Sequence, residues 1–181
     1  MTVKIDFMKE EYAKLGIVFL LGIIAGLSYV AFFPSPETAV SPLFSPGAEG
    51  EVISLISSAK ESIDIEVYVF THYPLADALI DARGRGVNVR VILEPRLEDN
   101  TANERLFGYL SANGIDVRWA SLTFTLTHSK FMIIDGKKVL VGSINFSKNA
   151  MTKNREAAVI FTGSEVSSFI DVFEGDWRIA S

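Results

Sequence analysis

Hydrophobic residues along this chain form one unbroken block and then two alternating rhythms. From Leu15 to Phe33 the stretch LGIVFLLGIIAGLSYVAFF has no charged residue. Its 19 residues would rise about 28 Å as a helix, close to the thickness of a bilayer's hydrocarbon core. The block therefore predicts a transmembrane helix over residues 15–33. A cleaved signal peptide fits less well, because its apolar core runs only about 7 to 15 residues and ends at a small-residue cleavage site. A buried soluble helix would normally show polar positions. Lys4, Lys9 and Lys14 precede the block and the next basic residue is Lys60. The positive-inside rule then places residues 1–14 in the cytoplasm and the rest of the chain outside. Gly22 and Gly26 have the GxxxG spacing that lets two membrane helices approach, a weak signal because glycine is common in such helices.

Pro34, Pro36 and Pro42 disfavour regular helix and predict an extended linker over 34–42, with a folded domain over 43–181. Leu43 and Phe44 suggest a short strand stopped at Ser45-Pro46-Gly47. Val52, Ile53, Leu55 and Ile56 then recur at helical spacing, whereas Ile63, Ile65, Val67 and Val69 alternate as in a strand. Leu75, Ala78, Leu79 and Ala82 form a second helical stripe, closed by Gly84 and Gly86, and Val87, Val89 and Val91 alternate again. A helix over 100–112, closed by Asn113-Gly114, and a strand over 115–119 follow. Two apolar runs, 131–134 and 139–141, flank Asp135-Gly136-Lys137-Lys138, a hairpin signal. A strand over 157–161 and an amphipathic helix over 166–177 complete the pattern. The order predicts an α/β fold, with a mixed, largely parallel sheet flanked by helices.

Length and composition narrow the chemistry. The 181 residues suffice for one anchor and one domain of common size. Cysteine is absent, so neither disulfides nor thiolate metal sites can hold the fold. The net charge of -5 argues against a protein that coats nucleic acid non-specifically. With two histidines, no cysteine and no HExxH, no transition-metal site and no cofactor are expected. The GRG of Arg83 to Gly86 reads as a helix stop rather than a nucleic-acid motif.

One stretch concentrates reactive side chains. His128 and Lys130 are two apart, as are Ser143 and Asn145, so within strands each couple faces one way. If the two runs pair through the Asp135-Gly136 turn, both couples meet at one end of a hairpin. A nucleophile candidate, a fixed cation and an amide donor around one point suit a phosphoryl group. Asp135 beside Gly136 suits the turn itself, a structural role. Gly142 is expected where a side chain would crowd a bound phosphate.

HSKFMIIDGKKVLVGSIN resembles the HxKxxxxDxxxxxxGSxN signature of the phospholipase D superfamily at every fixed position. SAKESIDIEVYVFT, ADALIDARGRGVNVRVILE and TKNREAAVIF further resemble that superfamily's small, single-motif bacterial endonucleases, so the likeness covers nearly all of residues 40–181. It implies a phospholipase D-like fold and metal-independent hydrolysis through a phosphohistidine on His128. A second histidine would protonate the leaving oxygen and then activate water. Lys130 and Asn145 would hold the equatorial phosphate oxygens, Ser143 would add a hydrogen bond, and Glu156 would fix the histidine's tautomer. Imidazole titrates near neutrality, so one copy can attack while another acts as acid. The HxK pattern occurs once, and His72 lies in a polar turn without a lysine at that spacing. A homodimer with His128 of each copy at the two-fold axis is therefore expected.

The substrate is open at this stage. Lys130, Lys137, Lys138, Lys148, Lys153 and Arg155 lie between His128 and Glu156 against one acid, Asp135, and suggest positive potential beside the site. DNA or RNA would be drawn there, as would a phospholipid such as cardiolipin, for which the anchor is a natural location. A non-catalytic phosphate-binding scaffold would not require intact His128, Lys130, Asn145 and Glu156.

Overall fold

The structure, a computed structural model, describes residues 2–32, 38–97 and 100–181. They form two compact units divided after Glu37. In the first, α1 (Thr2–Phe32) is one continuous helix. Its large apolar side chains from Leu15 to Ile24 are all exposed, by 45% to 72%. Among the described residues no helix is long and apolar enough to cross a membrane. The span expected over 15–33 includes Leu27 and residues 29–33, whose side chains lie outside the described set, as do residues 34–37 of the expected linker.

The second unit is a seven-stranded sheet in the order β1 (Val40–Ser45), β7 (Glu156–Thr162), β6 (Lys138–Gly142), β5 (Lys130–Ile134), β2 (Ser62–Val67), β3 (Asn88–Leu93) and β4 (Asp116–Trp119). Each strand matches a run of alternating or apolar residues, and Pro42 is tolerated because β1 is an edge strand. The sheet is mixed, but the expectation that it is largely parallel is corrected. Only β2–β3 and β3–β4 pair in parallel; the other four pairings are antiparallel. Two of the helical connections, α3 (Tyr73–Gly84) and α4 (Asn100–Ala112), are crossovers between neighbouring parallel strands. The first, α2 (Glu49–Ser58), instead carries the chain from the edge to the middle of the sheet, and β1 pairs with β7.

The sheet separates two apolar layers. Ile63, Ile65 and Val67 pack under α2, α3 and α4 with Val52, Ile56, Leu79 and Leu106. On the opposite face α6 (Val166–Ile179) lays Phe173 and Trp177 over Ile92, Phe131, Ile133 and Val139. Full burial of such side chains contributes about 1.5–3 kcal/mol each. Because both faces are covered at β2, the acidic positions of that strand are enclosed too. Asp64 and Glu66 are 7% and 3% exposed. Asp64 is paired with Arg90 at 2.7 Å, and Arg90 also reaches Glu174 at 2.6 Å.

Candidate active site

Register brings the chemical residues to one end of the sheet. Val67 pairs with Lys130, Phe131 with Val141, and Gly142 with Ala158. The entry to β5, the exit of β6 and the entry to β7 thus lie together at the carboxyl ends of the parallel strands, where α/β sheets commonly bind ligands. His128 is exposed, whereas Lys130 is only 9% exposed. The Lys130 ammonium is 3.0 Å from His128 Nδ1 and donates to the His128 carbonyl at 2.5 Å. Burial holds its pKa below the ordinary lysine value, against the opposing pull of the Glu156 charge. Tyr68 backs both groups, its ring centroid 4.4 Å from that of His128 and 5.0 Å from Lys130 Nζ.

A second cluster adjoins the first. Ser143 Oγ donates to Glu156 Oε2 at 2.5 Å and accepts from the Ala157 N–H at 3.2 Å. Asn154 donates to the other Glu156 oxygen at 3.2 Å. Asn145 accepts from the Val69 N–H at 3.3 Å through Oδ1, which orients its amide. The short helix α5 (Lys148–Thr152), not anticipated from the pattern, is capped by Ser147 and leads back to Glu156.

Within one chain Glu156 is therefore occupied by Ser143 and Asn154, and His128 Nδ1 faces Lys130. An ammonium has no lone pair, so Nδ1 must accept and the neutral ring carries its proton on Nε2. Attack by Nε2 requires the opposite tautomer, with Nδ1–H donated to an acceptor. His72 lies in the loop before α3, as its turn suggests, but is buried, with Nε2 2.8 Å from Glu49.

Two motif residues are explained by structure alone. Asp135, at φ +53°, accepts hydrogen bonds from the backbone of Lys60, Glu61 and Ser62 at the far turn of the hairpin. Burial would raise its pKa, but these donors and Lys137 bring it below the ordinary value. For Gly142 the expected reason is corrected: a Cβ would lie 2.4 Å from Ala157 O and 2.4 Å from Ala158 Cα, so the crowding is with the backbone of β7. The basic cluster is corrected as well. Lys138 pairs with Ile134 and Thr162, four residues from Gly142 along β6, or about 13 Å. Lys137 and Lys138 thus leave the site, while exposed Lys148, Lys153 and Arg155 remain on α5 and the approach to Glu156.

Several supporting residues escaped the sequence reading. Glu94, fully buried, accepts from the Thr127 N–H at 2.7 Å and from Arg96 at 2.6 Å, which fixes the approach to His128. Burial favours its neutral form, yet these donors lower its pKa overall. Buried Asn103 ties Tyr68 O, Glu94 O and the Phe70 N–H together. The available signal was an acid directly after the apolar run of β3 and an amide in the first turn of α4. Among the described residues no three His, Cys, Asp or Glu side chains form a metal-ligand group.

Residues 52–177 match the family described as "Cardiolipin synthase, PLD-like domain". The chain is 29% identical over 149 residues to the mitochondrial cardiolipin hydrolase of Danio rerio, covering 74% of this chain and 65% of that protein, so it spans just under two thirds of that relative. It is 30% identical over 162 residues to the mitochondrial cardiolipin hydrolase of Xenopus tropicalis, covering 82% and 76%. Its fold superposes on the crystal structure of Nuc, a phospholipase D family member from Salmonella typhimurium, with TM-score 0.75 and 34% identity over 80% of this chain and 97% of that one. The chain belongs to the phospholipase D superfamily of phosphodiesterases.

Proposed function

We propose that this protein is a membrane-anchored endonuclease that hydrolyses phosphodiesters of DNA or RNA without a metal, through a phosphohistidine on His128. The observation that carries the chemistry is the meeting of His128 and Lys130 with Ser143, Asn145 and Glu156 at one sheet end. His128 Nε2 attacks phosphorus as the bond to the leaving oxygen breaks, and the partner's His128 gives that oxygen its proton. The same imidazole then takes a proton from water, whose oxygen attacks phosphorus and releases His128 from the P–N bond. Lys130 and the Asn145 amide hold the equatorial oxygens, and Ser143 supports them.

A homodimer completes this site. The imidazole needs an acceptor on Nδ1, and the Glu156 of its own chain is engaged elsewhere, so the carboxylate of a second copy fits that role. The uncovered sheet face beside Ser143 supplies a docking surface. Pro42, Phe44, Val141, Ala157 and Val159 line a depression of about 330 Å³ there, and Phe44 is 56% exposed. For the anchor, the support is the uncharged run of residues 15–33, described as helix up to Phe32, and the exposed apolar side chains from Leu15 to Ile24. The lysines before it favour a domain outside the cytoplasm.

The basic approach of Lys148, Lys153 and Arg155 favours a polyanion. Phospholipid hydrolysis is the second reading, supported by a cavity of about 410 Å³ at His128, walled by Phe131, Val141, Phe169 and Val172, which suits an acyl chain. Full-length protein in detergent, incubated with EDTA and labelled single-stranded DNA, RNA or cardiolipin vesicles, separates the two. Cleavage of nucleic acid alone is expected. His128→Asn should lower the rate by roughly a thousandfold or more, and acid-labile phosphate should be trapped on the wild type alone. Activity that appears only with added divalent metal would overturn the mechanism; cleavage of lipid alone would select the second reading.

A further inference from the structure

We propose that Glu66 is a positioning residue for the nucleophile: its carboxyl ties the His128–Lys130 segment to α6, held on one side by Ser129 and on the other by Asp176. The inference rests on the phosphohistidine reading for its kinetic part but on geometry for the tie itself. Ser129, between His128 and Lys130, donates its hydroxyl to Glu66 Oε1, and the Ser129 carbonyl accepts from the Tyr68 N–H at 3.0 Å. Both links join this turn to the β2 strand and its continuation, so together they set how His128 enters the site.

The other oxygen, Glu66 Oε2, is buried and meets no hydrogen-bond donor among the described residues. The acidic neighbour that acts on this carboxyl, through its charge and through a hydrogen bond, is Asp176 of α6. Buried Glu66 and half-buried Asp176 cannot both ionise side by side without strong repulsion. A proton on Glu66 resolves both problems, because Oε2–H then donates to Asp176 and no buried acceptor is stranded. Burial first, and Asp176 as well, push Glu66 up to about 7, with Ser129 pulling the other way.

The nearby cations are committed elsewhere. On β3, Arg90 holds Asp64 and Glu174; on β4, Arg118 donates to the Trp177 carbonyl at 3.0 Å and covers its ring; on β5, Lys130 is turned to His128. On α6, Arg178 is exposed and acts on Glu174, so ionisation of Glu66 meets the Asp176 charge with none of these cations turned to it. It would push apart α6, whose Phe169 and Val172 wall the cavity at His128, and β2, to which the turn carrying the nucleophile is tied.

The test uses full-length protein in detergent and a small chromogenic phosphodiester, bis(4-nitrophenyl) phosphate. Glu66→Leu removes the tie and should lower kcat about tenfold with little change in KM, since misplacement rather than binding is affected. Glu66→Gln keeps an acceptor for Ser129 and a donor for Asp176 at every pH. The wild type should lose kcat from about pH 6 to about pH 8, and Glu66→Gln should flatten that decline. Glutamate labelled with 13C at the side-chain carboxyl gives a readout without turnover: the signal missing from Glu66→Gln should titrate near neutrality, apart from the other glutamates. Titration of that signal with the others would overturn the proposal, as would a folded Glu66→Leu with wild-type kcat. If the wild type cleaves no phosphodiester yet the signal titrates near neutrality, the phosphohistidine reading fails and the Glu66–Asp176 tie stands.

Discussion

Gly142 lets a packing explanation be separated from a chemical one. A methyl group there meets the carbonyl of Ala157 and the Cα of Ala158, both backbone, so relief requires β6 and β7 to move apart. Overpacking of this kind costs about 1–3 kcal/mol. Gly142→Ala is therefore expected to lower the Tm by about 3–10 °C and, by shifting Ser143, to reduce kcat. If glycine were required only for access of phosphate, Tm would not change and KM alone would rise; calorimetry with steady-state kinetics distinguishes the two. The site was legible at this scale to an unusual degree because its residues are fixed by spacing along two paired strands. His128, Lys130, Ser143, Asn145 and Glu156 all reach the same end. What the spacing could not disclose was which neighbour each side chain adopts. Glu156 turns to Ser143 and Asn154, and Glu66, in a strand whose alternation suggests a wet face, is enclosed by α6.

The β5–β6 hairpin is held at its turn by Asp135, whose carboxylate receives three backbone N–H groups from the segment before β2. This links the hairpin to the central strand on the side away from His128, so Asp135 serves the site through register rather than contact. Asp135→Ala leaves those donors to water or unpaired, at a cost of about 1–3 kcal/mol. The pKa of this carboxyl is lowered on folding from its ordinary 3.8, so its contribution is present above that value and is lost as pH falls through the folded value. Chemical denaturation of wild type and variant should show a gap near neutrality that narrows below about pH 4; a gap independent of pH would show that charge plays no part. At this scale the elements were readable but their pairing was not. Alternation marks a strand without naming its neighbour, so the antiparallel partnership of β1 with β7, 119 positions apart at Ser41 and Ile160, was outside local reach. The five-residue α5 offered too short a stripe to register a helical period.

The same pairing determines where the domain's two functional ends lie. The chain enters at Thr38; Ala39 bonds to Thr162, and β1 then runs from Val40 opposite Phe161 to Ser45 opposite Glu156. Five residue steps along a strand are about 17 Å, so entry and catalytic cluster occupy opposite ends of the sheet. If residues 15–33 anchor the protein, the end of the sheet that faces the bilayer separates the two readings: a catalytic end presented to water suits a soluble polymer, and one held at the lipid surface suits phospholipid. The absence of cysteine from the sequence makes this directly measurable. Single cysteines replacing Lys138, at the entry end, and Leu122, exposed in the loop before His128, can carry a fluorophore on full-length protein reconstituted in vesicles. With a quencher attached to the lipid headgroups, the endonuclease reading expects stronger quenching at 138 than at 122. The reverse order would place the nucleophile at the membrane surface and favour the phospholipid reading. Failure of the protein to float with the vesicles would instead remove the anchor, leaving the chemistry of His128 to be judged on its own.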